Sequence, residues 1–323
     1  MAINIIPDKI DKLESNQIFV FGSNTQGRHG KGSALDARKF GAIYGQSFGL
    51  QGNTYAIITK DLNKGLRSIP LPQIKSQIDK LWELARHSNH DYLLTPIGTG
   101  NAGYSISEIT NLLPQFIPYN IWIPQCYAYL GCNLSHKNMI NVIFTGNRIQ
   151  KFNNDRERDD AYSHLEKLIH RAIARGIEWG YDSVNFISGM ALGIDTAACQ
   201  FVLDEKLKGH PINIIMTAAV PCLDQDHKWR QDDRARYRQL LDKCDFVQYV
   251  SNLNYANAGG ASCLDKRNKW MVSQLTSSHD MAIAIHNGQP GGTQNAINDL
   301  VKGDKRVIIY NYRLQQYIKL GNW

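Results

Sequence analysis

The sequence predicts the α/β class, arranged as two three-layer domains with mostly parallel sheets. Three observations carry this. Short apolar runs alternate with segments of helical period from end to end. Several of the runs end in glycine-rich loops. The chain, at 323 residues, is about twice an ordinary domain length. Strands separated by helices need crossover connections, and these build parallel sheets from right-handed βαβ units. Sheets of that kind bind ligands at the carboxyl ends of their strands.

In the first half the strands read at residues 17–21, 55–58, 92–96 and 120–123. Between the second and third, Ile74, Ile78, Leu81, Trp82 and Ala85 line one face of a helix. The second half places strands at 141–144, 183–187, 212–216, 281–285 and 306–310. Its clearest helix carries Leu165, Leu168, Ile169, Ala172, Ile173 and Ile177 as one apolar stripe, expected in the core. Residues 124–139 fit neither period. The expected organisation is therefore a domain over 1–123, a linker over 124–139 and a second domain over 140–323.

Composition narrows the function classes. With 43% hydrophobic and 20% charged residues the chain is ordinary globular protein, and 10 Pro with 26 Gly exclude low-complexity disorder. Six cysteines, none in a CxxC pair, exclude a disulfide scaffold, and no metal or cofactor is expected. No apolar stretch reaches about 18 residues, and the start MAINIIPDKIDKLE carries acidic residues. A cytoplasmic location without a membrane partner is expected. The balance of 36 Lys plus Arg against 29 Asp plus Glu, +7 overall, favours an anionic partner: nucleic acid, nucleotide or phosphorylated metabolite. The run KWRQDDRARYRQLLDK mixes both signs and reads as a solvated helix, so single-stranded nucleic-acid binding is the last of the alternatives. Whether the chain forms a homo-oligomer stays open.

Two loops of the first half suit phosphate. After the strand IFVF comes GSNTQGRHGKGSALDA, where glycines allow close backbone approach and the following helix points its N–H groups back at the loop. After YLLTP comes IGTGNAGYS, again ahead of a helical segment. Together these loops resemble the macrodomain pattern, in which an asparagine and a glycine run hold a ribose and a later loop wraps the diphosphate of ADP-ribose. The resemblance implies Asn24, Gly30 and Gly32 on the ribose side and Gly98, Thr99, Gly100, Gly103 and Tyr104 at the phosphates. The family's adenine-contacting aspartate has no counterpart in context; only Asp8 and Asp11 lie nearby.

The second half ends its strands in FTGNR, SGMALGID and HNGQPGGTQNA, each placing small residues where a phosphate would approach. Arg267, in DKRNKWMV, has the fork geometry to clamp phosphate or ribose. The order TGNR, SGMALGID, AVPCLDQDHKW, KCD, RNKWMV and PGGT across residues 140–311 resembles the SLOG superfamily of Rossmann-like domains, nearest its YpsA-like branch. That superfamily also includes Lonely Guy phosphoribohydrolases and the DNA-processing protein A. The resemblance implies that Gly146, Arg148, Ser188, Gly189, Gly193 and Asn268 line a nucleotide site. It also implies that Asp195 belongs to the same wall, that Arg267 contacts the sugar phosphate and that Gly291, Gly292 and Thr293 hold phosphate; Asp195, from its position, and Arg267 are the catalytic candidates. Lonely Guy enzymes read PGGxGTxxE in this loop; here PGGTQNAINDL lacks the second Gly-Thr and the glutamate, leaving Asp299 as a substitute only if the helix register allows it.

The two resemblances imply a protein that binds a nucleotide-derived ligand: ADP-ribose, another NAD-derived molecule or a nucleoside phosphate. Hydrolysis at a ribose anomeric carbon is the implied reaction. The alternative is a sensor or sequestering protein that binds such a ligand without changing it. For Trp229 and Trp270, aromatics at helical spacing, a place in the core is the simpler expectation.

Overall fold

A computed structural model describes residues 2–131 and 138–323. They form two compact units, one from residues 3–131 with Ser251–Asn254, the other from 138–250 and 255–323. The mixed α/β architecture with mostly parallel sheets is as the sequence predicts.

The first unit runs β1 (Ile3–Ile5), β2 (Gln17–Asn24), α1 (Ser33–Ala37), β3 (Gly49–Gln51), β4 (Thr54–Lys60), α2 (Leu71–Arg86), β5 (Asp91–Leu94), α3 (Ile106–Thr110), β6 (Ile121–Trp122) and α4 (Gln125–Gly131). Its sheet order is β3-β4-β2-β5-β6, parallel except for the β3–β4 pair. β1 adjoins β6 through an Ile5–Ile123 bridge. The expected apolar face of α2 is buried through Ile74, Ile78, Leu81, Trp82 and Ala85. The stretch read as linker is in part structure of this unit. Tyr127 of α4 is buried and its hydroxyl donates to the Ile97 carbonyl at 3.1 Å, while 132–137 lie outside the described residues. Residues 251–254 join this unit because Gln17 and Asn252 exchange side-chain hydrogen bonds: Gln17 Nε2 to the Asn252 carbonyl at 2.7 Å, and Asn252 Nδ2 to Gln17 Oε1 at 2.8 Å. No periodicity signals such a pairing.

The second unit runs β7 (Met139–Gly146), α5 (Asp155–Glu178), β8 (Ser183–Ser188), α6 (Ile194–Lys208), β9 (Asn213–Val220), α7 (Gln231–Lys243), β10 (Phe246–Tyr249), α8 (Ser262–Ser273), β11 (Met281–His286), α9 (Gly292–Lys302), β12 (Arg306–Asn311) and β13 (Gln316–Leu320). Its strands lie in the order β10-β9-β8-β7-β11-β12-β13, parallel up to the final antiparallel β12–β13 pair. Central strands buried on both faces explain the unbroken apolar runs. Val142 and Phe144 pack with α5 and α6 on one face, whereas Ile143 packs with Trp270, Met271, Ile297 and Leu300 of α8 and α9 on the other. Three layers result.

One member of the predicted stripe is corrected. Ile177 is 41% exposed, because Gly176 takes the core-facing position in that turn, where an added Cβ would lie 2.7 Å from Val184 and 2.8 Å from Ile212. The mixed-charge run becomes α7, with Tyr237 and Leu240 buried and most of the helix solvated.

Across the middle of the sheet runs a buried polar ladder. Thr217 Oγ1 donates to Asn185 Oδ1 at 2.7 Å, and Asn185 Nδ2 donates to Asn141 Oδ1 at 2.9 Å. Buried amides are costly unless paired; a one-residue slip of β8 breaks both bonds, and a slip of β7 or β9 breaks one. The ladder thus pins the register of β7, β8 and β9. Asn185→Ala, which takes the partner from the Thr217 hydroxyl and from Asn141 Oδ1 while Asn141 Nδ2 keeps the Gln274 carbonyl, is expected to lower stability by about 1–3 kcal/mol in urea unfolding; an unchanged midpoint would contradict the role given to the ladder.

Candidate functional site

The strand order of the second unit creates the site. The chain winds outward from β7 through β8, β9 and β10, then returns to β11 on the other side of β7. Loops after β7 and β11 therefore leave in opposite directions, and a crevice opens at their carboxyl ends. Ile285 still pairs with Gly146, and Asn147 N–H still reaches the Ile285 carbonyl at 3.1 Å; beyond that the loops part. The resulting cleft has a volume of about 520 Å³.

Gly146, Arg148, Asp195, Arg267, Asn268, Gly291, Gly292 and Thr293 all line it. Gly291 caps α9, whose first-turn N–H groups and Thr293 hydroxyl offer an anion both donors and the positive end of a helix dipole. Ser188, Gly189 and Gly193 lie outside the lining and build its wall. Ser188 is fully buried, its hydroxyl donating to the Asp195 carbonyl at 2.7 Å and accepting from Met190 N–H at 3.1 Å. Gly189 is required by close approach: Arg267 Nη1 donates to its carbonyl, and an added Cβ would fall 1.7 Å from that nitrogen. Gly193 leads α6 past the Asn147 carbonyl, which accepts from Ile194 N–H at 3.2 Å.

Arg267 and Asp195 face each other at 3.7 Å, 7% and 6% exposed. Burial pushes the Asp195 carboxyl up to about 6, against the opposing pull of Arg267, the Ala191 N–H and Arg148. Burial also lowers the pKa of Arg267. Arg267 Nε and Asn147 Oδ1 are buried at the cleft and have no hydrogen-bond partner among the described residues.

Sequence reasoning missed Asn147 and His286. Burial lowers the His286 pKa, and the neutral ring's Nε2 donates to the Gln289 carbonyl at 2.9 Å, shaping the loop ahead of α9. The signal was present in TGNR and HNGQPGG, each of which surrounds a strand's last residue. Asp299, weighed as a substitute for the missing glutamate, is not in the lining; the register of α9 turns Ala296 and Leu300 inward instead. Trp270 packs in the core as expected. Trp229 is only partly buried, edge-on to Tyr237 at 5.1 Å, and lines an adjoining cavity.

In the first unit a cavity of about 780 Å³ is lined by Asn24, Gly30, Gly32, Gly98, Thr99 and Gly100, with Arg28, Lys31 and Lys60 around it. The Asn24 amide is committed to its own loop. Its Oδ1 accepts from Gln26 N–H at 3.2 Å and Arg28 N–H at 3.0 Å, and its Nδ2 donates to the Arg28 carbonyl at 2.6 Å. Gly103 and Tyr104 stand outside this lining. Tyr104 is buried and its hydroxyl bridges the Ile69 N–H and carbonyl, closing the loop rather than facing the cavity.

One cluster of metal-ligating type exists among the described residues, Glu166, His170 and Glu205. The Glu205 carboxylate there already pairs with Lys208, His170 and His210.

A parallel, Rossmann-like α/β unit with its cleft at the switch point is thus the class that this fold and site define. The family model YpsA, described as the YspA SLOG family, matches residues 142–316, more than half of the chain, and the chain belongs to that family. It is 31% identical over 121 residues to the SPbeta prophage-derived protein YoqJ of Bacillus subtilis (strain 168), covering 35% of this chain and 67% of YoqJ. It is 24% identical over 150 residues to a UPF0398 protein of Halalkalibacterium halodurans, covering 46% of this chain and 71% of that one. A UPF0398 protein of Bacillus cereus (strain G9842) is 24% identical over 167 residues, 49% of this chain and 84% of the relative.

Two outcomes follow for the buried pair. Gly189→Ala displaces the Arg267 guanidinium and is expected to lower the thermal midpoint by several degrees; an unchanged midpoint would contradict the seating described. The Asp195 carboxyl binds its proton more tightly folded, near pH 6, than unfolded, near 3.8. Stability present below about pH 4 is therefore partly lost as pH rises through about 6. Asp195→Asn should flatten that part of the stability-versus-pH curve, and identical curves for the two proteins would contradict it.

Proposed function

We propose that the second unit binds a nucleotide-derived ligand, with a phosphate at the start of α9 and against Arg148 and Arg267. The observation that carries this reading is the cleft itself. At the switch point, a helix N-terminus and two guanidinium groups converge, and a buried Arg267 Nε there has no hydrogen-bond partner among the described residues. Guanidinium groups and helix starts are the recurrent chemistry for phosphate, and membership of the SLOG family is consistent with it.

A second reading, hydrolysis at a ribose anomeric carbon, is favoured by Asp195. A carboxyl raised to about 6 beside a phosphate site keeps its proton in about a tenth of the molecules at pH 7, close enough to neutrality for general-acid work on a leaving base. The cleft offers no second carboxylate in its lining, so binding without turnover is the reading the geometry favours. The first unit's cavity, with Arg28, Lys31 and Lys60 beside a glycine loop, supports a second anionic ligand of the ADP-ribose type.

Calorimetry of the full chain with AMP, ADP and NAD tests binding. The wild type should bind at least one of them, and Arg148→Met should weaken that binding three- to tenfold, about 0.7–1.4 kcal/mol. No heat with any of the three would sink the proposal. Incubation with NAD, ADP-ribose and nucleoside monophosphates, read by mass spectrometry, separates the two readings. Intact ligand supports binding alone, and release of a free base supports hydrolysis.

A further inference from the structure

A second cavity, about 390 Å³, opens beside the cleft. The two share Arg148, Gln150, Ala191, Leu264 and Arg267 as a common wall. The far side of the second cavity is chemically different from the first. It offers the rings of Trp229 and Tyr255, with Lys228 Nζ 5.9 Å from the Tyr255 ring centre, and Arg230 outweighing Asp233 together with Lys228. The start of α7, capped by Arg230, also borders it.

Gln225, in the wall of the second cavity, is tied to the turn that seats Arg267. Its Nε2 donates to the Met190 carbonyl at 2.7 Å. Met190 holds φ at 56°, a left-handed conformation that costs a side-chain-bearing residue energy and survives only when its surroundings fix it. Met190 follows Gly189, on whose carbonyl Arg267 is seated. The remaining atom of the amide, Gln225 Oε1, is buried at the second cavity and has no hydrogen-bond partner among the described residues. It is an acceptor open to an N–H, in a cavity that the Trp229 and Tyr255 side chains also line.

We propose that the cleft and this cavity are one two-part site. Its ligand is two-ended: an anionic group at the start of α9, joined across Arg148 and Arg267 to a planar, amide- or amine-bearing ring held by Trp229, Tyr255 and Gln225. A dinucleotide with a diphosphate bridge has this chemistry; a mononucleotide fills one part only. The pair of guanidinium groups on the shared wall faces the bridge, and stacking on Trp229 with a hydrogen bond to Gln225 Oε1 selects the second ring. The inference rests on the phosphate-binding reading above and specifies the length of the ligand.

The test is calorimetry on the full chain with AMP, ADP and NAD as probes. NAD should bind at least tenfold more tightly than AMP or ADP. Trp229→Ala should bring NAD to the level of ADP while leaving AMP within twofold, and Trp229→Phe should restore most of the difference. Lys228→Ala, at an exposed position, should weaken NAD alone, and it serves where Trp229→Ala fails to fold. NAD binding no tighter than ADP, or variants that weaken all three probes equally, would overturn the two-part site while leaving phosphate binding intact. Absence of binding to every probe would overturn both.

Discussion

The second unit depends on one buried contact, the Arg267 guanidinium held between Asp195 and the Gly189 carbonyl. It ties α8 to the turn between β8 and α6, elements from opposite faces of the sheet. A charge this deeply buried is tolerated only when paired and hydrogen-bonded. Arg267 has an acceptor and a counter-ion, yet its Nε is left over. The same pair that closes the wall of the cleft therefore leaves it unsaturated toward an anion.

The electrostatics follow from burial. In water, Asp195 and Arg267 would both be charged without cost. At 6% and 7% exposure, desolvation lifts the acid and opposes the base, while their proximity works the other way. The result is a site whose net charge changes as pH passes about 6. Protonating Asp195 removes the one carboxylate of the lining and strengthens the field toward an anion. Structure and ligand chemistry are coupled here through one proton.

Much of this was legible in the sequence. Gly146, Arg148, Asp195 and the Gly291–Thr293 turn stand in the loops and helix starts that follow strands, where alternating periods already place them, Arg267 lies within α8, and all line the cleft. What periodicity does not see is pairing at long range. The joining of residues 251–254 to the first unit rests on Gln17 and Asn252, and the core position of Gly176 in place of Ile177 rests on contact with Val184 and Ile212. Tyr104 was read as a ligand contact from its loop, but its hydroxyl is spent on Ile69. Glycine loops mark where a ligand can approach; the side chains within them are as often structural.

The central claim is that the Arg267 seat makes the switch-point cleft an anion site. Native mass spectrometry of the full chain, purified without added nucleotide and then titrated with a diphosphate-bridged dinucleotide, tests it most directly against Arg267→Met. The wild type should show a bound-ligand mass at micromolar concentrations, and the variant, with its fold checked by circular dichroism, should lose it. Equal ligand occupancy in the two proteins would contradict the account.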